Sequence, residues 1–441
     1  MRAGSFSGGI RPPETKGRIE NSPFSNLSVP HQCSIPIQHR AGTAARPVVA
    51  VGDVVREGQL IAADEGAGDI RVHASIPGRV MDIGDRPAHS GGCAPCIVIE
   101  AAGSFSGFGA AAPCDWTTLT PVEIVRRVRE AGVMCAHGAG IPAARILAPP
   151  EGCAIDTIIV HGAECEPYLT AADMLLRAYP AEILEGARIA LRALGASRAI
   201  IAIPKSLTTA LAAIRTALAA HAGPGTVTVR PVSDKYPQGN ERLIIKAAAR
   251  KTIHAGTDLT RAGFAVLNAA TVIALREAVL AEKPLIERPI TVGGPGIRKP
   301  GNYKVRIGTA VEDVIRECEG LVDPAARVIM GGPISGTAVR DMRVPVTGTT
   351  TAIIALLGPD HGASGERECI RCGRCVAACP MGLMPHELDE AARQDRHDAR
   401  EARGVEACIA CHACSYVCPS RRPIGRRIDA ARTNRQGAID G

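Results

Sequence analysis

One cysteine pattern occurs twice near the C-terminal end of this 441-residue chain: Cys369-x2-Cys372-x2-Cys375-x3-Cys379-Pro380, then Cys408-x2-Cys411-x2-Cys414-x3-Cys418-Pro419. Spacing of this kind leaves few folds open. Three thiolates at i, i+3 and i+6, on a loop followed by a helical turn, reach three corners of one [4Fe–4S] cube, and the fourth, next to proline, starts the outgoing segment and faces the other cube. Two ligand sets are therefore expected: Cys369, Cys372, Cys375 and Cys418 for one cluster, and Cys408, Cys411, Cys414 and Cys379 for the second. Structural zinc is the alternative, but it uses two Cys pairs, or Cys with His, in a tetrahedral set. Two four-Cys runs that each close on Cys-Pro do not fit that arithmetic. The chain holds 16 Cys in all, and in a reducing compartment such thiols serve as metal ligands rather than disulfides.

The repeat has the spacing of bacterial two-cluster ferredoxins. The insert 380–407, rich in Arg, Asp, Glu and Ala, is expected to carry an exposed helix. The turn-rich run Gly358–Gly365 puts a domain boundary near residue 360, so a helical cluster domain with a basic tail is expected over 359–441. That tail holds Arg421, Arg422, Arg426, Arg427, Arg432 and Arg435 against Asp429, a candidate docking patch for an acidic partner protein or an anionic lipid surface.

Upstream, residues 46–84 read as short strands between tight turns, at Val48–Val51, Val54–Val55, Gln59–Ala62, Val72–Ala74 and Arg79–Ile83. The pattern resembles the lipoyl/biotin-carrier hammerhead. No lysine occurs between Lys16 and Lys205, so nothing can be lipoylated or biotinylated, and the unit reads as structural within a region 1–120. Residues 121–289 alternate helix-like periods (Pro121–Ala131, Pro180–Leu194, Leu207–Ala220, Arg242–Ala249) with apolar runs (Asp156–Val160, Arg198–Ile203, Thr226–Val232), which argues for α/β layers on a largely parallel sheet. Residues 290–358 return to short strands, around Ile290–Val292, Val305–Arg306 and Val328–Met330, with one helix at Ala310–Glu317: a small α+β module.

Two loops in the α/β region could bind a ligand. The short GxG at Gly138 and Gly140 follows a helix, and backbone N–H groups there could cradle an anion. After the run Asp156–Val160, Glu164 and Glu166 could accept hydrogen bonds from ribose or amide groups, since ligands bind at the carboxyl ends of strands in open sheets; solvated loop acids are the alternative. Cys93 and Cys96 form a lone CxxC that reads as ordinary thiols on a loop entering a strand. Five Phe, five Tyr and one Trp are too few for a single-strand stacking platform, so no nucleic acid is expected. The net charge of +7 is weak evidence for an anionic partner. No run reaches the ~20 apolar residues a membrane span needs, and the N-terminus lacks a signal-peptide core, so a cytosolic or peripheral protein is expected.

Gly8-Gly-Ile-Arg-Pro-Pro13, the hammerhead, Gly138-Ala-Gly-Ile-Pro142, Ala163-Glu-Cys-Glu-Pro-Tyr168, Lys235-Tyr-Pro-Gln-Gly239, the Gly-rich stretch Gly293–Gly308 and the paired cysteine runs occur in that order. Together they resemble the RnfC/RsxC family, the C subunits of the Rnf-type ion-translocating electron transport complex, over nearly the whole chain. The family's core is similar to the NADH-binding flavoprotein subunit of complex I. The resemblance implies an α/β multi-domain fold: a lipoyl-like β hammerhead, a Rossmann-like α/β core, a β-grasp module of the soluble-ligand-binding (SLBB) type and a ferredoxin-like helical domain. It also implies FMN beside the glycine loop, NADH as hydride donor, and Gly138, Gly140, Glu164, Glu166, Glu241 and Asn268 as cofactor-binding residues. The chain departs from the family's pattern at His137, Ile141, Ala143, Ile146 (with Arg145 adjacent), His161 and Asn240. The implied role is a peripheral electron-input subunit on the cytoplasmic side of the inner membrane. Its partners would be other subunits of the complex, with ferredoxin a further candidate, and it would be an NADH-linked translocase component. The rival reading is an electron-relay and docking subunit whose nucleotide site is degenerate and which uses its clusters alone.

Overall fold

A computed structural model describes all residues except 1–3, 14, 18, 20, 39–43, 65, 67–68, 90, 106–113, 137–139, 222, 325, 359–364, 397–400, 402–403 and 440–441, and gives the backbone alone for 433–439. Gly138 and most of the expected linker at 358–365 therefore lie outside the described residues.

The N-terminal module is larger than residues 46–84. Gln32–Pro36, Cys93–Ala101, Gly78–Pro87 and Val54–Val55 form one antiparallel sheet, and Arg46–Pro47, Leu60–Asp64 and Ile70–His73 form a second. Ile35, Ile61, Ile76, Ile97 and Ile99 fill the space between them, all fully buried. The expected strand Val48–Val51 is instead a pair of turns. The side chain of Asp53 accepts from the Ala50 N–H, and Gly52 takes a φ of +97°, which leaves Val48 and Val51 exposed. The CxxC lies on the strand Cys93–Ala101, with Cys93 exposed and Cys96 buried. Residues three apart on a strand point to opposite faces, so the two thiols cannot close on one metal. Burial pushes Cys96 up to about 12, an inert thiol.

His73 is buried in this module, and burial, aided by Arg71, pushes its pKa down to about 4. The folded state therefore holds His73 neutral, whereas the unfolded chain protonates it below its ordinary value of 6.5. Stability is complete above that value and is lost as pH falls toward the folded pKa. About 2 kcal/mol should be lost by pH 5, and a urea titration at pH 7 and pH 5 should show it. His73→Gln should remove this part of the acid sensitivity.

The central sheet is fully parallel, in the order Thr226–Val232, Arg198–Pro204, Thr157–His161, Phe264–Asn268. Its three inner strands are buried on both faces, while the edge strand Thr226–Val232 is partly exposed. Ile158, Val160, Ile201 and Leu267 face the helices Pro180–Leu194 and Ala269–Ala281 in one core, while Ile159, Ile200 and Val266 face the helix Glu241–Ala249 in the other.

The next module is a mixed sheet in the order Phe24–Asn26, Gly301–Arg306, Glu287–Gly293, Ala352–Leu356, Arg327–Met330, Thr337–Ala338, packed on the helix Val311–Glu317. Its first strand comes from the N-terminal region, where no strand was expected, and pairs parallel to Gly301–Arg306. The C-terminal domain holds Arg374–Ala378, Pro385–Arg393, Ala413–Tyr416 and Ile424–Ile439. The insert helix Pro385–Arg393 is not an exposed one. Leu388, Asp389 and Ala391 are buried, and Leu388 packs with Ile424 and Ile428. No described helix is long and apolar enough to cross a membrane.

Candidate functional site

The first strand of the parallel sheet decides where a ligand can go. From Thr157–His161 the chain builds outward through Arg198–Pro204 and Thr226–Val232, then returns to lay Phe264–Asn268 on the opposite side of Thr157–His161. The connections part at the carboxyl ends of these two strands, where an open α/β sheet leaves a crevice. A cavity of about 370 Å³ fills it, roofed by the β-grasp module through Gly331–Gly332 and the threonine loop at 347–351.

Of the expected cofactor-binding residues, Gly140, Glu164, Glu166 and Asn268 line this cavity, and so do Tyr236 and Gly239. Glu241 does not; it opens the helix Glu241–Ala249, and its neighbour Asn240, the cap of that helix, lines the wall instead. Gly140 has a φ of +66°, and a Cβ there would lie 2.7 Å from Thr349 Cγ2, so the position requires glycine. Asn268 Oδ1 accepts from Thr271 N (2.8 Å) and Thr271 Oγ1 (2.7 Å), capping the helix Ala269–Ala281 and leaving its amide hydrogens for the cavity.

The two acids are not solvated. Glu164 accepts from Ala172 N (2.7 Å) and Asp173 N (3.1 Å) in the first turn of the helix Ala171–Ala178. Burial pushes its pKa up, opposed by Lys16 and by those N–H groups. Glu166 reaches across to the β-grasp module, accepting from Ile334 N (2.7 Å), Ser335 N (3.1 Å) and the Ser335 hydroxyl. A Cβ on Gly332 would sit 2.2 Å from its carboxyl carbon. Each acid thus fixes a wall of the cavity, and a carboxylate oxygen keeps acceptor capacity beyond one such bond.

The cation of the cavity is a residue that sequence reasoning missed. Arg288 lines it and is 1% exposed. Its Nε donates to Gly348 O (2.5 Å) and its Nη2 to Met134 O, while Nη1 has no hydrogen-bond partner. Burial pushes its pKa down to about 10, still charged at neutral pH. Of the departures, Ile146 packs against the core and the adjacent Arg145 is exposed. Nothing in the strand pattern around Arg288 marks it as different from an ordinary edge-facing arginine. The amide of Asn268 and the helix N-terminus it caps, with the charge of Arg288 in the wall behind them, suit a carbonyl-rich ring carrying a phosphate, so these residues fit a flavin nucleotide.

The eight clustered cysteines fall into two separate cages. Cys369, Cys372, Cys375 and Cys418 surround one space, with His386 beside them; Cys379, Cys408, Cys411 and Cys414 surround the other. This is the exchange of fourth cysteines that the spacing implies. Among the described residues no three His, Cys, Asp or Glu converge on the position of a single ion. Four thiols arranged around a volume suit a cube. Tyr236 joins the cavity to the second cage: it lines the cavity, and its hydroxyl donates to Cys411 O at 2.7 Å. Ile10, Ala378 and Ala413 pack around it, with Cys165 and Cys411 at the edge of the same apolar cluster.

Four family models match in the order of the modules: the RnfC barrel sandwich hybrid domain at 4–104, the Nuo51 FMN-binding domain at 128–277, the SLBB domain at 289–338 and the 4Fe-4S dicluster domain at 363–419. The C subunit of the proton-translocating ferredoxin:NAD(+) oxidoreductase complex of Clostridium ljungdahlii is 35% identical over 90% of this chain and 86% of its own length. The chain belongs to the RnfC family. The C subunit of the ion-translocating oxidoreductase complex of Rhodobacter capsulatus is 35% identical over 88% of this chain and 75% of its own. That of Pasteurella multocida is 35% identical over 90% of this chain, which spans 47% of the Pasteurella protein. The solved NAD+-reducing [NiFe]-hydrogenase in its H2-reduced state aligns at TM-score 0.48 and 18% identity, over 71% of this chain and 60% of that one. Membership in the RnfC family accounts for all four modules, the barrel sandwich included.

Proposed function

We propose that this RnfC-family chain is the electron-input subunit of a membrane-bound ion-translocating oxidoreductase complex, carrying electrons between NADH and partner subunits through flavin and two [4Fe–4S] clusters. The observation that carries the reading is the Tyr236 bridge from the cleft to the second cysteine cage. Bound flavin would supply the conversion between a two-electron hydride and the single electrons a cluster accepts. The chain's own residues would do the rest. Gly140 permits close approach of the backbone, and Asn268 offers its amide to a ring carbonyl. Glu164 and Glu166 accept from nucleotide hydroxyls while holding the two walls together. Gly138 and Glu241 are assigned to the same cofactor from the sequence alone. Cys379, Cys408, Cys411 and Cys414 would hold the cluster on the cavity side. Cys369, Cys372, Cys375 and Cys418 would hold the exit cluster, since Cys369 and Cys372 are exposed where a partner could approach. The protein would sit peripherally on the cytoplasmic face, with other subunits of the complex or ferredoxin taking the electrons.

The test is an anaerobic NADH titration of the cluster-reconstituted chain, followed by EPR, with flavin assayed after denaturation. Released flavin and NADH-dependent cluster signals are expected. Intact clusters with neither flavin nor NADH-dependent reduction would leave a protein that relays electrons through its clusters alone.

A further inference from the structure

Resting on the reading of the two cages as [4Fe–4S] sites, we propose that His386 donates from its Nδ1 to the Cys375 sulfur and thereby raises the reduction potential of the outer cluster, the one held by Cys369, Cys372, Cys375 and Cys418. His386 lines that cage, and its Nδ1 stands 4.0 Å from Cys375 Sγ, the outer reach of an N–H···S contact. The backbone N–H of the same residue also bonds to the Cys375 sulfur. It is one of the first-turn N–H groups of the helix Pro385–Arg393, which have no partner within the helix. One residue thus aims two donors at one sulfur. A cube gains negative charge on reduction, and its ligand sulfurs share that charge. A donor to a sulfur therefore stabilises the reduced form more than the oxidised form. Cys375 is the buried member of its cage, while Cys369 and Cys372 are exposed, so water dilutes a hydrogen bond least at this sulfur.

The fold holds His386 in this place. The first turn of its helix lies between the two cages: His386 lines the outer one, and Pro385 and Leu388 line the other. Asp389, three residues on and so on the same side of the helix, is clamped at 2.6 Å by Arg422, which lines the outer cage too. That clamp fixes the rotation of the helix and with it the approach of the imidazole. Arg422 is the weaker lever on the cluster, because Asp389 already answers its charge. Contacts to other cage sulfurs come from backbone N–H groups, such as Arg371 to Cys369 and Leu383 to Cys379, both at 3.4 Å. These follow from the shape of the loops, whatever the side chains. The inner cage has a histidine in its lining as well, His412, but that ring packs against Gly425. The side-chain donor is therefore placed on the outer cage, and an electron shared between the two cubes is favoured there, beside the exposed Cys369 and Cys372.

The test is potentiometric. The full chain, with clusters reconstituted, is poised with dithionite and redox mediators, without NADH, and the EPR signal of each cluster is followed against potential. Wild type, His386→Leu and His386→Gln are compared, with iron content as the folding control. The same substitutions in a Cys411→Ser background, which keeps the outer cluster alone, assign the signals. In His386→Leu the ratio of reduced to oxidised outer cluster, read at the wild-type midpoint, should fall about three- to tenfold, the worth of one hydrogen bond. His386→Gln keeps a side-chain N–H and should recover part of the loss, and the inner cluster should not move in either variant. An unchanged outer midpoint in His386→Leu, or a shift of equal size in both clusters, would overturn the proposal. So would loss of the outer cluster's iron in that variant, which would make His386 a brace of the cage. Wild type that takes up no iron would instead fell the cluster reading itself, a distinct outcome.

Discussion

Cys375→Ser should cost the chain one cluster and spare the other. Cys375 shares its cage with Cys369, Cys372 and Cys418, and none of these lines the cage of Cys379, Cys408, Cys411 and Cys414. Serine is a poor cube ligand, and a cube held by three thiolates is labile. Of about eight irons per chain, roughly four should be lost. Cys411→Ser should remove the complementary four. It should also disturb the contact with Tyr236, because Cys411 O is the acceptor of the tyrosine hydroxyl. Iron analysis with EPR of the dithionite-reduced chains checks both variants. Full iron and an unchanged spectrum in Cys375→Ser would refute the ligand sets. So would identical residual spectra from the two variants, because each should retain a different cluster.

The second large effect concerns charge. Asp389 is completely buried; its Oδ2 accepts from Arg422 Nε (2.7 Å) and Nη2 (2.6 Å), and its Oδ1 from Arg427 Nη1 (3.2 Å). Arg422 itself is 3% exposed. Asp389→Ala would leave a buried guanidinium without its main partner, at a cost of about 3–5 kcal/mol. Glu390, 3.6 Å from Arg422, and Glu368, 3.9 Å away, should hold the loss toward the lower figure. The readout is the rate at which cluster absorbance bleaches on warming, compared with wild type and Asp389→Asn. Bleaching as slow as wild type would show that the triad contributes nothing. The same triad revises the basic tail. Arg422 and Arg427 serve the domain's interior, and Arg432 donates to Cys408 O. Arg421 and Arg426 remain exposed for an acidic partner or lipid, a weaker docking patch than six free arginines would make.

Legibility in the sequence followed the reach of each interaction. The grouping of the cysteines into two fours was readable because a cube dictates local spacing, and the same fours surround two spaces in the fold. Pro180–Leu194 and Thr226–Val232 were readable to the residue because helical and alternating-strand patterns repeat within the segment itself. Phe24–Asn26 was not, since three edge residues carry no period and their partner strand begins at Gly301. The strand Ala352–Leu356 and the helix Ala269–Ala281 escaped for the opposite reason, being apolar almost throughout with no alternation to betray their type. Glu164 and Glu166 were found by position, but their backbone partners lie in segments no local motif connects to them. Arg288 was invisible because a buried arginine differs from a surface one only by what folds over it.

The segment at Gly8–Ile10 has a bearing on how the protein is made. Gly9 donates to Ala378 O, Ile10 exchanges backbone hydrogen bonds with Tyr236, and a Cβ on Gly8 would fall 2.4 Å from Cys379 O. The segment is thus wedged between the α/β core and the cysteine-rich domain, which lie far from it and from each other in the sequence. It has no home until both exist, and closing so long a loop is entropically slow to be rewarded. Docking of Gly8–Ile10 therefore reports that the α/β core and the cysteine-rich domain have both taken their places, since its backbone hydrogen bonds need partners from each.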